Sequence, residues 1–165
     1  MTPDWEPIRE LIDGVRIKEV KNILTENGVT TEVFREDWNA TGKEVKHIIH
    51  VSFHPRAVSA WHRHEFQTDA ISVTRGFIKM VLYDDRETSP TRGLVNVLNL
   101  GASRPGLVVV PPYVWHGLQN MSDEISSFIN FFDRQYCYDD PDEWRLPADT
   151  PEIPYTFWPV SGATV

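Results

Sequence analysis

The chain has 165 residues, of which 41% are hydrophobic and 12% aromatic, so it can bury a domain-sized core and disorder is excluded. Its formal net charge is −8 with no basic block, so a nucleic-acid backbone or an anionic membrane would be repelled over most of its surface. The single cysteine, Cys137, excludes an intrachain disulfide and a cysteine-rich zinc module. No signal peptide and no run of about 18 apolar residues occurs, which favours a protein of the reducing cytoplasm.

The predicted elements begin with one short helix. Trp5, Ile8, Leu11 and Ile12 fall on one face at helical spacing, and Gly14 is a natural end for the helix. The chain then reads as short strands separated by glycine and proline turns. The expected strands are 29–34, 45–53, 70–74, 77–83, 94–100, 107–110, 115–119 and 125–132. Many short strands without helix-length spacers predict an antiparallel sandwich or barrel.

The C-terminal part has a different character. Five prolines punctuate residues 139–159, so we expect this tail to wrap the domain as extended chain or as a short helix. The acidic cluster at 139–143 is expected to be a solvated loop. Because no repeat, low-complexity tract or linker interrupts the chain, residues 1–165 are predicted to form a single domain.

The residues that carry chemistry gather around two histidine motifs. His62 and His64 are two residues apart, so on a strand both side chains point to the same side. Asp69 follows His64 by five residues, and His116 stands further along the chain. These four residues are a natural ligand set for a divalent metal such as Zn²⁺, Ni²⁺, Mn²⁺ or Fe²⁺. Asp69 has an alternative role, because an aspartate here can also cap the following turn.

Further residues are assigned by their position near these motifs. The candidate substrate-binding residues are His50, Phe66, Gln67 and Gln119. His47 alternates with aliphatic residues on its strand and is expected to be a core histidine. Trp61 and Trp115 each directly precede a site histidine, so they are expected to point to the opposite face and to pack in the core.

The two motifs resemble those of the cupins. His62 and His64, with an acid five residues on and Gly76 seven after that, match the first motif, and His116 with Asn120 four residues later matches the second. Asp69 stands where glutamate is commoner, and the usual glycine before the second-motif histidine is missing. The resemblance implies an all-β jelly-roll barrel whose mouth holds the site. We therefore expect a cupin barrel with a short N-terminal helix and an extended proline-rich tail.

A narrower resemblance, to the dTDP-4-dehydrorhamnose 3,5-epimerases, extends over nearly the whole chain. It depends on SPTRG at 89–93, VVPPYVWHGL at 109–118 and SD at 122–123, with shorter matches near both ends. The resemblance implies proton abstraction beside a sugar ketone, no required metal, no organic cofactor and a homodimer. His62 matches the position of the family's base, and Tyr138 or Tyr136 lies where the acid tyrosine would be.

The departures from that family concern charge. Asn27 and Ser59 stand where the family has arginines, Asp69 replaces a lysine, and His64 replaces a glutamine. The cations serve the nucleotide phosphates or the developing enolate, so their loss argues against a dTDP-sugar. The exchange of glutamine and lysine for histidine and aspartate favours a metal site.

The sequence is therefore compatible with three functions. The first is a sugar epimerase or isomerase with His62 as general base and Tyr138 as acid. The second is a metal-dependent cupin enzyme that uses His62, His64, Asp69 and His116 on a different keto or oxygen-linked substrate. The third is a non-catalytic binder of small molecules. In the first two cases the expected partner is a small sugar or keto compound.

Overall fold

The computed structural model describes residues 10–157, and these residues are mostly strand. The strands are β1 (Arg16–Glu19), β2 (Asn22–Thr25), β3 (Gly28–Thr31), β4 (His47–Phe53), β5 (Val58–Arg63), β6 (Asp69–Arg75), β7 (Phe77–Asp84), β8 (Val95–Gly101), β9 (Gly106–Val110), β10 (Val114–Asn120), β11 (Ser126–Phe132) and β12 (Trp144–Arg145). One 3₁₀ turn, Glu36–Trp38, is the only helical element in the described part of the chain.

The strands form two antiparallel five-stranded sheets and one small hairpin. The first sheet has the order β1-β9-β6-β11-β4, the second has the order β12-β5-β10-β7-β8, and β2 pairs only with β3. From β4 to β11 the chain crosses from one sheet to the other at every step except between β7 and β8, which are neighbours in the second sheet, and this is the strand order of a jelly roll. Strands β1 and β12 each extend one edge. The prediction of an all-β jelly-roll barrel is therefore confirmed.

Apolar side chains from both sheets fill the barrel interior. Met80 and Leu82 of β7 face inward with Ile71 of β6 and Leu118 of β10, and all four are at most 5% exposed. Val81, between Met80 and Leu82, belongs to a second cluster on the outer face of the same sheet. Because both faces of β7 are covered, this strand reads as a nearly continuous apolar run.

The C-terminal tail covers the outer face of the second sheet. Ile153 and Phe157 pack against Trp61 and Trp115, which confirms the core positions expected for the two tryptophans. Residues 139–157 contain no helix, and their only strand is β12. Leu146 and Trp61 exchange backbone hydrogen bonds of 2.8 and 3.1 Å, so the tail is joined to β5 by main-chain pairing as well as by packing.

The expected N-terminal helix falls largely on residues 1–9, which lie outside the described residues. Leu11 and Ile12 are not helical, and Gly14 occupies a turn with φ of +82°, a conformation that glycine adopts without strain. Strands β1, β2 and β12 were absent from the sequence prediction. Within residues 10–157 no helix has the length and apolar character needed to cross a membrane.

Candidate active site

One end of the barrel contains a cavity of about 470 Å³. Its deeper wall is apolar and comes from inward-facing residues of both sheets, among them Val51, Phe53, Leu118 and Phe128. The polar wall lies where β5 ends and where β6 and β10 begin, because these antiparallel strands meet at the same end of the barrel. The segment that follows β11, residues 134–145, supplies most of the mouth.

All four residues of the predicted histidine and aspartate set line this cavity. His62 and His116 are direct partners in the β5–β10 register, with ring centroids 5.9 Å apart. The rings of His64 and His116 are 5.5 Å apart. The Nε2 atoms of His64 and His116 lie 3.6 and 3.4 Å from Oδ2 of Asp69. The strand geometry thus brings the two distant motifs together.

Asp69 is the centre of a buried charged cluster. It is 3% exposed and accepts hydrogen bonds from Gln67 Nε2 at 2.8 Å and from Asn130 Nδ2 at 3.1 Å. Burial alone would raise the pKa of this carboxyl, but His116 and His64 outweigh burial and hold the pKa well below its usual range. Burial also opposes protonation of His64, yet the hydrogen bond and the charge of Asp69 prevail and raise the pKa of His64 to about 9. At neutral pH the cluster therefore holds a carboxylate beside an imidazolium.

His62 has a different environment from His64. Its Nε2 lies 2.9 Å from Ser59 Oγ, and its Nδ1 lies 3.1 Å from Glu143 Oε1. Burial and the neighbouring His116 lower the pKa of His62, while the hydrogen bond to Glu143 opposes them. His62 is therefore a neutral imidazole at neutral pH, which is the form that can accept a proton.

The capacity for a metal is smaller than the sequence predicts. The ligand atoms of His64, Asp69 and His116 all lie within 4.8 Å of one another, and His62 is not part of this group. Both nitrogens of His62 are engaged, one by Ser59 and the other by Glu143. The expected four-ligand set is thus reduced to two imidazoles and one carboxylate.

The two histidines of β4 point to opposite faces of the strand, and the one that lines the cavity is His47. Side chains alternate across a strand, and His47 points inward and lines the cavity, while His50 is exposed on the outer face. His50, which was predicted to bind substrate, therefore does not line the cavity. His47 does lie on the interior face, as expected, but at the barrel end this face borders the cavity.

Of the other three candidate substrate-binding residues, one lines the cavity and two do not. Gln67 lines the cavity. Phe66 is 52% exposed with Arg134 over its ring, and it does not line the cavity. Gln119 is buried and lies on the same face of β10 as Trp115, which is the face directed away from the cavity. Phe66 and Gln119, which were predicted to bind substrate, therefore lie outside the cavity, because turn position and strand parity direct these side chains elsewhere.

Two tyrosines stand at the cavity mouth. Tyr136 and Tyr138 both line it, their ring centroids are 5.1 Å apart, and they are 44% and 88% exposed. The two residues considered for the acid tyrosine thus both border the cavity. Neither side chain is buried against the histidines.

Sequence reasoning missed two residues of the acidic cluster that contact the histidines of the cavity. Asp142 and Glu143 are half-buried, and they contact His64 and His62 instead of forming a solvated loop. Each is about 80 residues from its histidine along the chain, a separation at which no local motif signals the contact. The alternation of Trp144, Arg145 and Leu146 after them is the only strand-like signal nearby.

Comparisons with known proteins agree with this geometry. The profile of the family described as dTDP-4-dehydrorhamnose 3,5-epimerase matches residues 9–162. A probable low-salt glycan biosynthesis epimerase, Agl13, from Haloferax volcanii is 36% identical over 139 residues, covering 84% of this chain and 89% of that protein. The spore coat polysaccharide biosynthesis protein SpsL of Bacillus subtilis is 32% identical over 150 residues, covering 89% and 97% of the two chains.

A solved structure supports the same relationship. The dTDP sugar isomerase of Desulfovibrio desulfuricans G20 superimposes with a TM-score of 0.82 at 32% identity, covering 88% of this chain and 91% of the other. The family profile covers nearly all of the chain, including both histidine motifs and the tyrosine segment. The chain therefore belongs to the dTDP-4-dehydrorhamnose 3,5-epimerase family of sugar epimerases.

Proposed function

We propose that the protein epimerises a nucleotide-linked or related keto sugar by removing a proton from a carbon next to the ketone, with His62 as the general base. The observation that carries this proposal is the setting of His62 in the cavity wall between Ser59 and Glu143. A neutral imidazole oriented by a carboxylate can accept the carbon-bound proton, and the carboxylate stabilises the imidazolium that results.

The enolate formed by this step needs a positive partner. Proton removal moves negative charge onto the ketone oxygen, and a preorganised cation nearby lowers the energy of that state. The family's lysine is replaced by Asp69, so the chain must supply the charge differently. His64 faces the same cavity as His62, and its pairing with Asp69 keeps it protonated at neutral pH.

Epimerisation also needs a general acid that returns a proton to the carbon. We propose that Tyr138 returns a proton to the opposite face of the sugar carbon, with Tyr136 as the alternative. Their place at the cavity mouth supports the assignment, since a bound sugar would separate them from His62. Phenylalanine at either position tests it: the variant of the acid should still exchange the sugar proton with solvent but should form little epimer.

We also propose that the substrate of this protein is not the one used by ordinary members of the family. Asn27, Ser59 and Asp69 lack the charges that the family uses for the nucleotide phosphates or the enolate. The cavity wall of this chain includes four carboxylates and only two arginines, Arg134 and Arg145. We therefore expect dTDP-4-keto-6-deoxyglucose to be a poor substrate.

A panel of keto sugars tests this function. NMR spectroscopy in D₂O would follow loss of the signal next to the ketone and appearance of the epimer, with dTDP-, UDP-, GDP- and CDP-linked 4-keto sugars compared at equal concentration. We expect one of the other sugars to react faster than the dTDP compound. Fast turnover of dTDP-4-keto-6-deoxyglucose alone would contradict the substrate assignment, and no exchange with any keto sugar would contradict the reaction.

A second candidate is a metal-assisted version of the enzyme. The Nε2–Oδ2 separations are 3.6 and 3.4 Å, and the ligand atoms of His64, Asp69 and His116 all lie within 4.8 Å of one another, close enough for all three residues to reach one ion. Two imidazoles and one carboxylate are a donor set that suits Zn²⁺ or Fe²⁺. His64, Asp69 and His116 would hold the ion, which when bound would supply Lewis-acid stabilisation of the ketone oxygen.

Metal binding can be measured without substrate. Chelator-treated protein would be incubated with Zn²⁺, Ni²⁺, Mn²⁺ or Fe²⁺, desalted and analysed for bound metal, beside a His64→Ala variant. Retention of about one ion per chain that is lost in the variant would support the metal-assisted version. Protein that stays metal-free with all four ions would leave only the metal-free mechanism.

We also propose that two copies of the chain form a homodimer. The β2–β3 hairpin is a separate two-stranded sheet, a unit that is marginally stable alone. It exposes Ile23, Leu24 and Val29 by 55%, 82% and 57%, an apolar surface that a second copy would cover. Light scattering should give a dimer mass for the wild type and a monomer mass for Leu24→Asp. A monomeric wild type would refute the proposal.

A further inference from the structure

We propose that Asp142 is a positioning residue that holds the turn between β5 and β6, and with it His64 and Asp69, in the arrangement the active site requires. Asp142 belongs to residues 142–146, which we call the strap. The contacts of Asp142 do not depend on the proposed epimerase function, whereas its effect on turnover rests on that function.

The Asp142 carboxylate accepts hydrogen bonds from three successive backbone N–H groups of the turn. Its Oδ1 accepts from the amide of Glu65 at 2.7 Å, and its Oδ2 accepts from the amides of Phe66 and Gln67, each at 2.9 Å. Hydrogen bonds to a charged acceptor are stronger than neutral ones, and three on one carboxylate fix the direction of the whole turn. The turn is therefore held from a distant part of the chain.

The main chain of Asp142 holds the imidazole of His64. The carbonyl oxygen accepts a hydrogen bond from His64 Nδ1 at 2.5 Å. Since a carbonyl can only accept, the proton on this nitrogen is fixed, and Nε2 is the atom that faces Asp69 at 3.6 Å. One residue thus determines both the path of the turn and the orientation of the ring.

The same contacts extend to Asp69. Gln67, whose amide N–H donates to Asp142, also donates from its side chain to Asp69 Oδ1 at 2.8 Å. A turn released from Asp142 would therefore move the donor that fixes the Asp69 carboxylate. The effect passes through one residue, so it needs no long-range coupling.

The strap itself is firmly placed on β5. Trp144 and Arg145 pair with Arg63 and His62 in an antiparallel register. The guanidinium of Arg63 lies between the rings of Trp115 and Trp144, 4.5 and 5.5 Å from their centroids. Such stacking of arginine on aromatic rings is favourable and directional. The carboxylate of Asp142 therefore has a defined position from which to hold the turn.

The test compares Asp142→Ala and Asp142→Asn with Asp139→Ala, which removes an exposed acid of the same cluster. Hydrogen exchange would be measured at the amides of Glu65, Phe66 and Gln67. We expect roughly tenfold faster exchange in Asp142→Ala, as for the loss of one charge-assisted hydrogen bond, and a smaller increase in Asp142→Asn, which keeps one acceptor oxygen. The control variant should match the wild type.

A spectroscopic measurement separates positioning from general destabilisation. Asp142→Ala keeps the carbonyl that accepts from His64 Nδ1, but the released turn should carry His64 away from it. The ¹⁵N signals of the His64 ring should therefore show an Nδ1–H that is protected from solvent exchange in the wild type and in Asp139→Ala and that exchanges faster in Asp142→Ala. If Asp142→Ala does not fold, the amide exchange and the ring signals would both be measured on Asp142→Asn, whose fold would be checked by circular dichroism. Unchanged amide exchange and unchanged ring signals in a folded Asp142 variant would overturn the proposal.

Neither measurement uses a substrate, so the two hypotheses can fail separately. If the amides and the ring respond but no keto sugar is turned over, the positioning role stands and the proposed function fails. If a keto sugar is turned over, we expect Asp142→Asn to lower kcat about tenfold with little change in KM, because the turn is displaced while the rest of the cavity is retained. An equal kcat in the variant and in Asp139→Ala would contradict the catalytic consequence.

Discussion

Replacing Asp69 by asparagine should remove most of a pH dependence from the stability of the metal-free protein. In the wild type, burial opposes protonation of His64, but Asp69, with a smaller contribution from Asp142, raises the pKa of His64 from 6.5 to about 9, and the His64 side chain is only 13% exposed. At about 1.4 kcal/mol per pKa unit, this corresponds to a stabilisation on the order of 3 kcal/mol. Because the folded state holds the proton more tightly than the unfolded chain, the stabilisation is complete below pH 6.5 and is lost as the pH rises through about 9.

Urea unfolding in the presence of a chelator measures this effect. Free energies of unfolding would be determined from about pH 6 to about pH 10 for the wild type, Asp69→Asn and the control Asp139→Asn, which loses the same charge at an exposed site. The wild type and the control should lose a few kcal/mol more than Asp69→Asn over this interval. The same decline in Asp69→Asn would refute the pairing of His64 with Asp69.

Two further variants test packing and base orientation. Gly117→Ala should destabilise the protein by about 1–3 kcal/mol in thermal or urea unfolding, because the added Cβ would lie 2.6 Å from Ala60 Cβ and 2.8 Å from Phe157 Cζ; unchanged stability would show that the tail does not pack here. Glu143→Gln keeps an acceptor for His62 Nδ1 but removes the charge, so the rate of proton abstraction should fall by about tenfold or more, measured as solvent exchange into substrate. An unaltered rate would exclude a role for the Glu143 charge.

Much of the barrel could be predicted because its signals are local. The glycine and proline turns separate strands whose cores agree with the expected ranges to within a few residues, as for β7 and β10. The spacing of His62 and His64 and the second motif together predicted that His116 shares their cavity. The prediction succeeded because strand parity and register determine which side chains meet. Short exposed strands such as β1 and β2 carry no apolar pattern of this kind and were missed.

The remainder of the site depends on contacts that no local pattern encodes. Asp142 and Glu143 resemble an ordinary solvated acidic loop, and only the pairing of β12 with β5 places them beside the histidines. On β4 the alternation was correct, but Ile48 and Ile49 make both faces apolar, so sequence alone did not show which histidine borders the cavity. The reduction of the metal set to three ligands has the same origin, because Glu143 engages His62.

The central claim is that His62 removes a carbon-bound proton next to a sugar ketone. The most direct measurement is the initial rate of deuterium incorporation from D₂O at that carbon, for the wild type and His62→Ala, both treated with chelator. We expect the wild type to incorporate deuterium into at least one nucleotide-linked 4-keto sugar, and the rate in His62→Ala to be lower by at least about a hundredfold. Equal incorporation by the two proteins would contradict it.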